Sequence, residues 1–543
     1  MEVHEDAASP QRQESEEHGR RKPGSEEHEP LLRHRSLRAS SLKSQQLPRQ
    51  LSTRHAFAIL VSIQIGSGIF ASPAQVDSNV PSPGAALSIW VLGGLLSWAG
   101  AASFAELGAA LPLNGGMQEY LQHVYGDTMA FLMAWIYIMA VKPSSMAIQS
   151  IVIAESIASV NSTAPWAGWK LKLLAIFAFV SMAIINSIST RVTMRLSESF
   201  TVVKIITVVL IVIGGFIAVI AHAMDPDSPL SGSRDWYTRN WFQTRPTRSE
   251  GEVIDWTRIS AWRLLGHYSA AIYASLWAYD GWDNANFVAS EIRDPGRSLP
   301  QAIKAAMAVV LSCYELVNIA YYILLPWGTI STNDAVAVAA AKSLLGRPAG
   351  IIVTILVAVS CAGSITSNVF AVGRLTIAAS QRHYLPAFLS IRGFPGLRRK
   401  PALAPRTDSD SFTSSHEHTL SRTVSAVEVD TTPDSSWDAP INANILALIV
   451  TLIYILNGSF RALLTFVGMA EWVFYVSTVI GLIILRRREP DLKRPYQPHM
   501  VFPLTFVVVG TLVIIRSAMF APIQSGVLAS LLIVGTLVGK LRG

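Results

Sequence analysis

From residue 56 onward the chain is a succession of long apolar runs separated by short polar joints. Runs such as "ALSIWVLGGLLSWAGAASFAELGAAL" from Ala86, "KLLAIFAFVSMAIINSIS" from Lys172 and "FPLTFVVVGTLVIIRSAMF" from Phe502 reach the roughly 20 residues that cross ~30 Å of hydrocarbon. The pattern predicts an all-α polytopic membrane protein of about twelve spans, at 56–76, 84–111, 126–159, 171–190, 198–222, 263–290, 302–327, 348–380, 441–457, 461–486, 501–519 and 522–540. Composition agrees: of 543 residues, 50% are hydrophobic and 15% charged.

Two of these runs are interrupted. In "IQIGSGIFASP" (Ile63 to Pro73) two glycines, two serines and a proline fall where a spanning helix would be continuous. Glycine and proline both weaken a helix interior. In lipid every backbone N–H and C=O needs a partner, so a break survives only inside protein or beside a cavity. There the freed N–H groups and the positive end of a half-helix receive an anion such as a carboxylate. Small residues that merely let two helices pack closely would look the same. The second interruption, "SLWAYDGWDNANF" (Ser275 to Phe287), falls five spans later, and paired breaks of that kind point to a site between inverted repeats, here spans 1–5 and 6–10.

Outside the spans, residues 1–54 are polar and aperiodic, and read as a disordered cytoplasmic tail without a signal peptide. Its "EHEPLL" (Glu27 to Leu32) has the spacing of an acidic dileucine sorting signal, but a chance leucine pair in a polar tail is the favoured reading. The transport core would run over 55–486, with a 223–260 loop outside and a disordered, phosphorylatable 383–440 loop in the cytoplasm, and 487–543 would carry the last two spans. The sequon "NST" at Asn161 falls on the outer side. The net charge of +7 lies in the tail and in short joints such as "RGFPGLRRK" and "LRRREPDLKRP". Basic joints stay cytoplasmic, so both termini are expected there and no nucleic-acid partner is implied. The plasma membrane is the favoured location, with a vacuolar or endosomal membrane as the alternative.

The order and spacing of several motifs identify a family. "IGSGIFASP", "FAELGAALPLNGGMQEYL", "WAYDGWDNANFVASEIRDPGRSLPQAI", "VAVAAAKSLLG", "SQRHYLPAFLS" and "REPDLKRPY" together resemble the amino acid/polyamine/organocation superfamily, most closely its L-type amino acid transporter family, over about residues 56–520. The resemblance implies a ten-helix inverted-repeat core with broken helices 1 and 6, and alternating access around a central amino acid. Carried over by position, the amides around Gly66, Ser67, Gly68 and Ile69 receive the substrate carboxylate. The carbonyls of Trp277, Ala278 and Tyr279, with that of Ile65, receive its ammonium, beside Asp280 and Gly281. Trp277 falls where the family has a gating aromatic. "EIRDPGRSLPQAI" falls where the family has an inner gate.

Charges inside spans mark function or a partner. Lys204, in "SFTVVKIITVVLIV", either snorkels to the surface or, by the resemblance, substitutes for a bound sodium ion between spans 1 and 5. Asp280 and Asp283 replace the glycine and asparagine common in the family, and Glu315 and Glu471 lie in spans 7 and 10. Asp280 and Glu315 are candidates for proton coupling or for a cationic substrate; the plainer reading is hydrogen bonding to neighbouring helices. His267 stands alone in its span and reads as structural. No nucleophile with an adjacent base and no metal-ligand spacing occurs in the spans, so no enzyme, cofactor or metal is expected.

The two cysteines, Cys313 and Cys361, lie in apolar runs. The resemblance implies, for some members of the family, a heavy chain disulfide-linked through a cysteine between spans 3 and 4; that joint has no cysteine here, so no disulfide-linked heavy chain is expected, and a noncovalent partner stays open. The function expected is sodium-independent carriage of L-amino acids, large neutral ones foremost, by exchange across the lipid bilayer. A proton-coupled permease for methionine or a cationic amino acid or amine, and a nutrient-sensing transceptor, are the alternatives.

Overall fold

Breaks, caps and prolines divide the apolar runs into helices whose limits follow from local chemistry. The computed structural model describes residues 52–113, 115–161, 168–188, 190–249, 251–287, 289, 292–391 and 440–542. The dileucine-like segment, the 392–439 part of the expected cytoplasmic loop, Glu291, and Ser162 and Thr163 of the sequon lie outside the described residues.

Helices α1 (Thr53–Gln64) and α2 (Gly68–Ser78) form one span bent by 47°. Helix α3 (Pro83–Ala110) starts with proline at its first turn and with the Ser82 hydroxyl accepting from the Ala85 N–H at 3.2 Å. After the short α4 (Met117–Tyr125), the third span is α5 (Asp127–Ile136), a π turn (Tyr137–Val141) and α6 (Lys142–Asn161). Pro143 causes that turn, because it has no N–H and its ring crowds the carbonyl four residues back. That carbonyl, Met139 O, instead accepts from the Tyr454 hydroxyl at 3.2 Å.

Helices α7 (Gly168–Ile188) and α8 (Thr190–Met224) complete the first repeat. The 223–260 segment is ordered, with a helical turn α9 (Asp235–Thr238) and an antiparallel hairpin β1 (Thr247–Ser249) and β2 (Glu252–Ile254). The second repeat comprises α10 (Ala261–Ala278) with α11 (Asn284–Phe287), α12 (Pro295–Leu324), α14 (Val336–Gln381) after the turn α13 (Trp327–Ile330), α15 (Ile441–Asn457) and α16 (Phe460–Arg488). Helix α14 begins twelve residues before the expected 348, because an arm from Val336 joins it across a kink at Gly346 (φ 75°). Helices α17 (Val501–Phe520) and α18 (Pro522–Arg542) follow.

All twelve expected spans fall on helices. Among the described residues nine helices are long and apolar enough to cross a bilayer, ten with the bent α1–α2 pair, and the other two spans fall on α10 and α15, of 18 and 17 residues. Each of the first four spans packs against its counterpart five spans later: α2 on α10, α3 on α12, α6 on α14 and α7 on α15. Elements beside a two-fold axis must meet this way, and the interrupted spans 1 and 6 are one such pair. Phe177, Phe216 and Ile533 on α7, α8 and α18 point outward, an apolar surface suited only to lipid. The protein is a multi-pass integral membrane protein.

Candidate functional site

At the first break, α1 makes its last turn with Ile65 N–H on Val61 O (2.9 Å), and Gly66 N–H folds back on Gln64 O (2.7 Å). Helix α2 restarts when the Phe70 and Ala71 amides bond to Ser67 O at 3.1 and 3.2 Å. The N–H groups of Ser67, Gly68 and Ile69 are left without an acceptor among the described residues, and the Ile65 carbonyl without a donor. All of them are buried. A buried, unpaired helix start is electropositive and shaped for a carboxylate.

The second break has the opposite polarity. Helix α10 closes with Tyr279 N–H on Ser275 O (3.1 Å) and Asp280 N–H on Trp277 O (3.2 Å). Gly281 then takes φ 105°, which side chains rarely adopt, and Asn284 returns two bonds to its carbonyl, from N–H at 3.2 Å and Nδ2 at 3.0 Å. The breaks touch. A Cβ added to Gly68 would lie 2.6 Å from Ala278 Cα, and one on Gly281 would lie 2.6 Å from Ile63 Cγ2. The structure thus brings Gly68 against Ala278 and Ile63 against Gly281, although about 210 residues separate the two breaks in the chain.

Two side chains brace the junction. The Tyr314 hydroxyl on α12 lies 2.5 Å from Gln64 O and 3.0 Å from Ala278 O, and Gln64 Nε2 donates to Tyr279 O at 3.4 Å. Ala278 and Tyr279 carbonyls, expected to face an ammonium, are therefore occupied in this conformation, and Ile65 O is the open one. Tyr279 and Tyr314 pack edge-on to Trp90. Trp277, the expected gating aromatic, is half-buried with its ring edge-on to Phe460 at the start of α16.

Lys204 does not snorkel. It is 2% exposed, and its Nζ donates to Ser364 Oγ on α14 at 3.0 Å and to the Ser62 carbonyl of α1 at 3.4 Å. Ser62 Oγ and Thr201 Oγ1 meet at 2.5 Å beside it. The ammonium thus ties spans 1, 5 and 8 together one turn before the first break. A Cβ on Gly66 would stand 3.3 Å from Ser364 Oγ, so Ser364 lies between the lysine and the break.

The acidic residues divide into two groups. Asp280 Oδ1 accepts from the Tyr475 hydroxyl at 2.9 Å, and Glu471 Oε1 lies 3.3 Å from Tyr475 and 3.4 Å from the Tyr137 hydroxyl. Asp283 belongs to the same cluster, and Lys142 is the cation acting on all three carboxylates. Lys142, missed in the sequence, carried the same signal as Lys204: a charge in the middle of a span. Glu315 is apart from this cluster, on the face of α12 that lines a groove with α3. His267 Nδ1 lies 2.8 Å from Asn79 Oδ1, with its ring against Trp256 and Phe520, a packed structural position.

Two of the quoted sequence motifs also meet outside the spans' centre. Glu106, from "FAELGAALP", receives the guanidinium of Arg486 and, at 3.5 Å, that of Arg494, from the "REPDLKRP" region.

Comparison with known proteins agrees with this architecture. A protein-family model described as amino acid permease matches residues 51–539. The chain is 29% identical over 493 residues to the b(0,+)-type amino acid transporter 1 of Mus musculus, covering 90% of this chain and 86% of that one. It is 27% identical to the cystine/glutamate transporter of Homo sapiens (89% and 83% covered) and 26% identical to the large neutral amino acids transporter small subunit 2 of Homo sapiens (90% and 79% covered). With the fold, the paired breaks and a match over nearly its whole length, the chain belongs to the amino acid permease family.

Proposed function

We propose that this protein is a sodium-independent exchanger of L-amino acids, large neutral ones foremost. The observation that carries the reading is the contact of Gly68 with Ala278, which sets an unpaired helix start against a helix end. The substrate carboxylate takes the Ser67, Gly68 and Ile69 amides. The ammonium takes Ile65 O first, and Ala278 O and Tyr279 O when Tyr314 and Gln64 let go of them. Because Gly68 and Ala278 are in van der Waals contact, the amino acid sits beside that contact and its arrival parts the two spans. Lys204 supplies in fixed form the positive charge that a sodium ion would bring between spans 1 and 5, with Ser364 of span 8 as a further partner. The basic joints support a topology with α4 and both termini in the cytoplasm and the β1–β2 hairpin outside. Cys313 and Cys361 lie within α12 and α14, which supports a carrier with no disulfide-linked heavy chain.

The test is uptake by purified protein in liposomes, with and without sodium, a pH gradient or internal amino acid. Exchange predicts uptake accelerated by internal amino acid and unchanged when sodium is replaced. A sodium requirement would remove the role given to Lys204, and acceleration by a pH gradient alone would replace exchange by proton symport. A second reading rests on Asp280: hydrogen-bonded to Tyr475 at the second break, it is placed to meet a cationic side chain. Competition by lysine or arginine, lost in Asp280→Asn, would establish it.

A further inference from the structure

Resting on the exchange reading above, we propose that Tyr314 is the positioning residue that makes exchange obligatory: its hydroxyl clasps the end of α1 to the end of α10, and a bound amino acid lets that clasp open at little cost. In a continuous helix Gln64 O would accept from the Gly68 N–H, and Ala278 O from the Trp282 N–H, each four residues on. Both partners are lost at the breaks. A single hydroxyl from a third helix reaches the two carbonyls instead, at 2.5 and 3.0 Å. Gln64 O keeps a second donor in the Gly66 N–H (2.7 Å), whereas Ala278 O has no other among the described residues. Opening the clasp therefore strips a buried carbonyl of its donor.

The hydroxyl cannot follow α1. The Tyr314 ring is fully buried on α12, edge-on to Trp90 of α3 with centroids 6.0 Å apart, and tilted against Tyr279 at 4.9 Å. Lys204 also holds α1, through Ser62 O, but it ties that helix to α8 and α14 and does not cross from one break to the other. When α1 swings away from α10, the hydroxyl thus loses at least one carbonyl. A substrate ammonium beside Ile65 O has three N–H donors and takes up Ala278 O as the two spans part. Without it the swing costs one hydrogen bond to a buried acceptor, which slows the return of the unloaded carrier about tenfold. In Tyr314→Phe the carbonyl is bare before and after the swing, so loaded and unloaded carriers move at similar rates.

The experiment uses the full-length protein in liposomes loaded with labelled leucine, and compares efflux into buffer with and without external leucine. In the wild type external leucine should accelerate efflux about tenfold. In Tyr314→Phe the ratio should fall close to one, because efflux into leucine-free buffer rises. General damage to packing would lower both rates together and leave the ratio. Tyr321→Phe is the control: the same substitution two turns along α12, at a buried hydroxyl without a partner among the described residues, should keep the wild-type ratio. Gln64→Met removes the lesser tie, from Gln64 Nε2 to Tyr279 O, and should lower the ratio even if Tyr314→Phe does not fold. A wild-type ratio of about one would remove the exchange reading and this proposal with it. A raised wild-type ratio that neither Tyr314→Phe nor Gln64→Met lowers, or that Tyr321→Phe lowers equally, would overturn the proposal and leave exchange standing.

Discussion

A methyl group on Gly68 meets backbone, whereas one on Gly93 meets a hydroxyl. The added Cβ would lie 2.6 Å from Ala278 Cα in the first case and 2.2 Å from Ser275 Oγ in the second. Backbone cannot swing aside, so Gly68→Ala forces the two breaks apart, an overpacking cost of about 1–3 kcal/mol at the site itself. Initial uptake rates, normalised to protein in the membrane, should fall about tenfold or more. The Ser275 hydroxyl donates to Ile272 O at 2.8 Å and has room only if it gives up that bond. Gly93→Ala should therefore lose less uptake, and Ser275→Ala should restore it, while no single truncation rescues Gly68→Ala. Equal losses without rescue would place the contact outside the mechanism. Gly66, Ser67, Gly68 and Lys204 were legible in the sequence because each is out of place in an apolar run. Tyr314 was not, since one tyrosine in a span is ordinary and its target, Gln64 O, is set by packing across 250 residues.

Elements were legible where lipid dictates length and less so where a proline or an ion pair adjusts them. The third span reads as one apolar run over 126–159, yet Pro143 inserts a π turn that re-aims Lys142 towards the Asp280 cluster. The 223–260 segment gave no periodic signal, and its order comes from charge. Arg245 donates to Asp77 Oδ1 at 2.5 Å and to Trp327 O at 2.9 Å, and Tyr322 donates to the same Asp77 oxygen at 2.5 Å. This buried pair pins the segment to α2 and to the end of α12. Removing one partner leaves an uncompensated buried charge, so Arg245→Met should cost about 3–5 kcal/mol of stability. Replacing both, as in Asp77→Asn with Arg245→Met, should recover much of the loss. Thermal unfolding of purified protein in detergent checks both, and a double variant no more stable than the single one would show that the pair is not acting as a unit.

Alternating access needs the two ends of the molecule to open in turn, and the structure closes them unequally. On the α4 side Arg382, at the end of α14, holds both Glu119 oxygens at 2.6 Å and also bonds to Gln122, while Tyr384 donates to Asp127 at 2.9 Å. On the hairpin side the start of α16 is tied to the arm before α14 by the one-point Arg461–Asp334 contact at 3.4 Å, beside the Arg245–Asp77 pair that holds the hairpin segment to α2. A bidentate pair with a mostly buried carboxylate is worth more than a one-point, partly exposed pair, whose median is about 0–1 kcal/mol. Burial pushes the Glu119 carboxyl above its ordinary range against the pull of Arg382, so protonation as the pH falls weakens this latch. Cys361 is a native reporter of opening, because it is fully buried on α14 one turn before Ser364. In a Cys313→Ser background, Arg382→Ala should raise the rate of maleimide labelling at Cys361 by about tenfold, the factor for a latch of ~1.4 kcal/mol. Arg461→Ala should raise it less, because it removes the weaker closure. If the two substitutions raise labelling equally, or if Arg382→Ala leaves it unchanged, the inequality between the two ends does not govern which one opens.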